Sequence, residues 1–92
     1  MKLIEIIRDL ESFDNEGIIC AVKPWAENSE AIVVVESGAR RCPAEAADLG
    51  MEYLLEVFVA REFLDGWVAS LDTRPTLQEK CARLIQYAIN DA

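Results

Sequence analysis

The chain contains no histidine. That removes every Ser-His-Asp and Cys-His nucleophile arrangement, together with the side chain that most often ligates transition metals. The three cysteines, Cys20, Cys42 and Cys81, show no C-x-x-C spacing, so a four-ligand zinc site is not expected. The reading implies neither a metal nor any other cofactor. Three thiols cannot all pair within one chain, and the expected state is free cysteines acting as small apolar residues. Cys20 falls in an apolar run and Cys81 on an apolar helix face, while Cys42 follows Arg40-Arg41 and alone has cationic neighbours. Such thiols fit a reducing cytoplasm, the expected localisation.

Glycine and proline are sparse, 4 and 3 in 92 residues, which argues against a loop-rich scaffold. The glycines, at 17, 38, 50 and 66, are too scattered to cradle a phosphate, and there is neither a G-x-x-x-x-G-K-[ST] loop nor a D-x-D-x-D calcium loop. No stretch approaches the roughly 18 apolar residues of a membrane span. The N-terminal segment is interrupted by Glu5, Arg8 and Asp9, so it has no signal-peptide core. Positive charge is scarce too: 9 bases against 17 acids give a net charge of −8. Phosphate backbones and anionic membranes would repel such a surface, which excludes nucleic acid and membrane as expected partners. A basic protein would be attracted.

The composition that remains, 52% hydrophobic and 28% charged, is that of an ordered globular protein, and the length suits a single domain over residues 1–92. Leu3, Ile6, Ile7 and Leu10 predict an amphipathic helix over residues 2–12, ended by turn formers at 12–17. Two short β-branched runs, at 18–22 and 31–35, predict strands joined by an eight-residue hairpin loop, 23–30. Neither run alternates cleanly, so helices are expected to cover much of the sheet. Residues 37–42 form a connection, and Pro43 opens a short helix over 44–49 that Gly50 stops or kinks. From Met51 onward, Tyr53, Val57, Ala60, Leu64, Trp67 and Leu71 recur in steps of four and three, the stripe of a long buried helix. Residues 53–59 also carry enough β propensity for a third strand, and helix is the preferred reading. Thr76 and Glu79 form a capping box for a last helix whose apolar face is Leu77, Cys81, Leu84, Ile85 and Ala88. The predicted fold class is a small α+β domain in the order helix, strand, strand, helix, helix, an antiparallel hairpin packed against helices.

Two features stand out as candidate binding elements. Glu45, Asp48, Glu52 and Glu56 are spaced three, four and four apart and would form an acidic ridge if 44–56 were one helix; a solvated face broken at Gly50 is the plainer account. Trp25, in the hairpin loop near Glu27 and Glu30, is either an exposed anchor on an acidic rim or a plug at the end of the sheet. Trp67, in the helical stripe, belongs to the core. The expected function is therefore a non-enzymatic protein-binding module that meets a basic protein partner through Trp25, Glu27, Glu30, Glu52 and Glu56. Small neutralisers of cationic enzymes, such as immunity proteins and antitoxins, share this surface chemistry by analogy. The alternative is a structural homo-oligomer: Leu54, Leu55, Phe58, Val59 and Phe63 widen the apolar surface of the long helix, and a homodimer would bury the excess. A carboxylate-dependent enzyme using Mg²⁺ is the least favoured reading, because nothing in the sequence separates an acid from a base.

Overall fold

The computed structural model describes residues 1–35 and 41–91. In chain order it contains α1 (Leu3–Arg8), a 3₁₀ turn (Leu10–Ser12), β1 (Ile18–Val22), β2 (Ala31–Val34), α2 (Ala44–Asp48), β3 (Met51–Glu56), α3 (Val57–Ala69) and α4 (Leu77–Asp91). The α+β class and the antiparallel hairpin are as the sequence predicts. Residues 37–40 of the predicted connection lie outside the described residues.

The long helix expected from Met51 onward is corrected. Residues 51–56 are not the first turns of a long helix but the third strand, and the helix begins only at Val57. Gly50, at φ +83°, ends the short helix in a conformation that side-chain-bearing residues avoid, and turns the chain into the sheet. β3 then pairs antiparallel with β1, giving the order β2-β1-β3 with β1 central. The pairing slips by one residue: Ile19 faces Leu55 but Cys20 faces Tyr53, leaving Leu54 as the extra residue of a bulge. The bulge lets both Leu54 and Leu55 enter the same core, side by side in sequence. A regular strand would put one of them on the opposite face.

The sheet therefore has two unequal sides. On one lie Ile19, Ala21, Ala31, Leu54 and Leu55, covered by Leu3, Ile6, Ile7 and Leu10 of the N-terminal segment, Val57, Ala60 and Leu64 of α3, and Cys81, Leu84 and Ala88 of α4. This is the main core; truncating one of its leucines to alanine would cost about 2–5 kcal/mol. The other side holds a small cluster of Ile18, Cys20, Met51 and Ala46, with Val22, Ile32, Val34, Cys42 and Tyr53 half-buried around it. Arg61 ties the N-terminal segment to α3, donating to the carbonyls of Leu10 (2.9 Å) and Phe13 (2.6 Å) and to Asn15. Thr76 and Glu79 make the predicted capping box, with Thr76 N–H to the Glu79 carboxylate at 2.8 Å and Glu79 N–H to the Thr76 hydroxyl at 3.1 Å. Among the described residues no helix is long and apolar enough to cross a membrane.

The cysteines differ from the sequence reading. Cys20 and Cys42 are joined by a disulfide across 22 residues, with Cα atoms 6.0 Å apart, and Cys81 alone is free. The side chain of Cys20 points to the smaller side of the sheet, where the segment leading into α2 lies, and that packing brings the two sulfurs together. The bond removes the premise, three free thiols, for placing the chain in a reducing compartment.

Candidate functional site

The β1–β2 loop is built by its own polar groups. The Ser29 hydroxyl accepts from Ala26 N–H (2.8 Å) and donates to the Pro24 carbonyl (3.3 Å), and Ser29 N–H donates to the Ala26 carbonyl (3.0 Å). The loop also serves α1, whose first amides have no partner within the helix. Leu3 N–H donates to the Ser29 carbonyl (2.8 Å) and Ile4 N–H to the Glu27 carbonyl (3.0 Å). The loop is thus fixed from both ends, and it includes a cis Lys23-Pro24 peptide.

This frame decides between the two readings of Trp25. The ring is half-buried against the main core, and its indole N–H donates to the Ala21 carbonyl at 3.1 Å. It plugs the end of the sheet and still leaves one side open. Between the loop and α4 lies a cleft of about 270 Å³, lined by Trp25, Ala26, Glu27, Cys81, Ala82 and Ile85. The walls are aromatic and aliphatic, and the one formal charge in the lining is Glu27. Cys81 at its base has its thiol pushed up to about 11, first by burial and then by the nearby Glu27 carboxylate, so it stays neutral at physiological pH. It is an unreactive thiol in the floor of the cleft.

Of the remaining sequence-derived residues, Glu52 joins this end of the molecule through Lys23. The Lys23 ammonium lies 4.8 Å from the Trp25 ring centroid and 3.9 Å from a Glu52 carboxylate oxygen. Glu30 is exposed and sits beside the N-terminal segment, where its backbone bridges Lys2 and its carboxylate lies 3.5 Å from the Met1 nitrogen. Glu56 belongs elsewhere. It pairs with Ile18, whereas Glu52 pairs with Ala21, so the bulge sets the two carboxylates on opposite faces of the sheet. Glu56 accepts a hydrogen bond from the Tyr53 hydroxyl at 3.2 Å. The continuous acidic ridge through Glu45, Asp48, Glu52 and Glu56 therefore does not exist: its first half is a five-residue helix and its second half a strand.

The sequence singled out neither Lys23 nor Ala82, and it placed Ile85 only on the apolar face of the last helix. Ile85 lies on the apolar stripe of α4 and Ala82 beside it, a detectable sign, but only the folded loop turns that edge of the helix into a cleft wall. Lys23 carries no sequence signal at all. Among the described residues no group of three or more Cys, Asp or Glu side chains is arranged to hold a metal ion. Compared with protein-family models, curated proteins and solved structures, the chain matches none.

Proposed function

We propose that this chain is a non-enzymatic module that binds a basic protein, in the manner of a neutraliser of the immunity or antitoxin type. The observation that carries the reading is the cleft between Trp25 and α4, apolar in its walls and marked by Glu27, on a chain of net charge −8. An arginine or lysine side chain fits that chemistry: its methylenes lie along Ile85 and the indole, and its charge meets Glu27. The acidic surface steers such a partner in, and the cleft holds one of its side chains. Glu52 and Glu30 contribute at the rim.

The test is affinity capture from the source cell with the wild type, Glu27→Lys and Trp25→Ala, each first shown to be folded by circular dichroism. A stoichiometric basic partner, released by moderate salt and lost with Glu27→Lys, is the expected result. A partner held equally by wild type and Glu27→Lys would remove the cleft from the interface.

A second reading, a homo-oligomeric subunit, draws on two observations. Phe58 on α3 is 42% exposed, and β3 has a strand neighbour only on its β1 side among the described residues. The case is narrower than the sequence suggests, because Leu54 and Leu55 are buried in the main core and Val59 and Phe63 pack against it. Sedimentation equilibrium separates the readings: a monomer throughout the micromolar range removes Phe58 and the outer edge of β3 from any interface between copies.

A further inference from the structure

The smaller side of the sheet is held in an unusual way. Among the described residues its only helical cover, α2, is five residues long, and Ala46 is the one buried side chain of that helix, at 2% exposure. Leu49, just beyond, is 70% exposed and contributes nothing to the packing. A single methyl group cannot offset the entropy of ordering such a segment. The strong attachment is covalent: Cys42, two residues before α2, is bonded to Cys20 in the middle of the central strand. The main core lies on the opposite side of the sheet and includes no residue of α2.

We propose that Cys20–Cys42 is a redox latch, which holds the segment 42–49 over the smaller face of the sheet when oxidised and releases it when reduced. The two sulfurs are not equivalent. Cys20 is fully buried, whereas Cys42 is partly accessible and follows the exposed Arg41. A thiolate of an external dithiol attacks Sγ of Cys42, and the bond to Cys20 breaks, its sulfur leaving with the electron pair and taking a proton. The second thiol of the reductant then attacks the mixed disulfide, freeing Cys42 as a thiol, and the reductant departs as a disulfide. Two electrons and two protons pass from the reductant to the protein. Cys81 does not serve as the resolving thiol, because it is buried in the main core across the sheet. Release removes Ala46 and Cys42 from Ile18 and Met51, while α1, α3 and α4 keep their packing in the main core.

The experiment starts from protein treated with glutathione disulfide. Alkylation in denaturant, read by mass spectrometry, is expected to label Cys81 alone, and to label all three cysteines after dithiothreitol. Hydrogen exchange on the folded protein is expected to quicken severalfold in residues 42–49 on reduction, with amides of α3 and α4 unchanged and binding of an anilinonaphthalene sulfonate dye increased. Cys42→Ser should behave as the reduced form without any reductant. Three alkylatable thiols before reduction would overturn the proposal. So would unchanged exchange in 42–49, or loss of the whole far-ultraviolet spectrum on reduction, which would make the bond a global staple rather than a latch.

Discussion

An added methyl group meets opposite surroundings at Gly17 and Gly66. Gly17 is buried, and a Cβ there would come within 2.7 Å of Val33 Cγ1 and 3.1 Å of the Asp14 carbonyl, in the tight passage where the Gly17 carbonyl accepts the first amide of α3. Gly17→Ala should cost about 1–3 kcal/mol through this overpacking. Gly66, within α3, has nothing within 4 Å of an added Cβ, so Gly66→Ala should stabilise by about 1 kcal/mol. Urea titration of the two variants beside wild type reads both signs. Cys81 gives a third residue-level expectation. Its thiol ionises near 11 in the folded chain against an ordinary value of 9.0, so the unfolded chain gives up this proton first as pH rises. The stabilisation from keeping the thiol neutral is complete below about pH 9 and is lost as pH climbs towards 11. Stability measured across that window should fall more steeply in wild type than in Cys81→Ala, whatever the offset caused by the missing sulfur.

At the scale of elements, α4 begins as the sequence says and β3 does not. The capping box of α4 is local, because four consecutive residues satisfy one another whatever surrounds them. Thr76→Ala should cost about 1 kcal/mol, measurable by thermal or urea unfolding. The hydrogen bonds from the Thr76 amide and then its hydroxyl network hold the Glu79 carboxyl below its ordinary 4.5. The folded value is depressed, so this contribution is present above the ordinary range and disappears as pH falls through it. Glu79→Gln should flatten that part of the acid unfolding curve. β3 was misread because its pattern is helical in appearance: a bulge places Leu54 and Leu55 together, and the next apolar residue, Val57, continues the stripe of α3. Strand alternation is the signal that identifies a half-buried strand, and the bulge erases it.

For the whole molecule, the proposed docking on a basic protein makes separable demands on the net charge of −8 and on the cleft. Charge distributed over the surface governs encounter, and contacts in the cleft govern release. Neutralising Glu45 and Asp48, which lie on α2 and away from the cleft, should slow association at low salt and leave dissociation unchanged. Glu27→Lys should chiefly quicken dissociation. Surface plasmon resonance with the captured partner at two ionic strengths distinguishes them, and equal effects of the two changes on dissociation would argue against a specific cleft contact.

What the sequence determined by itself was whatever local spacing encodes: α1, the hairpin strands, the short helix stopped at Gly50, the cap and apolar face of α4, and the α+β class. Absences, above all that of histidine, also bounded the chemistry before any fold was known. Trp25, Glu27 and Glu30 were visible as a loop group, but Glu52 and Glu56 looked like helical neighbours until strand pairing put them on opposite faces. The tertiary structure alone decided the third strand, the Cys20–Cys42 pairing and the cleft wall supplied by α4. Each of these joins residues far apart in the chain, through a bulge or a packed layer. Such contacts depend on which surfaces meet, and no periodicity within one segment records that.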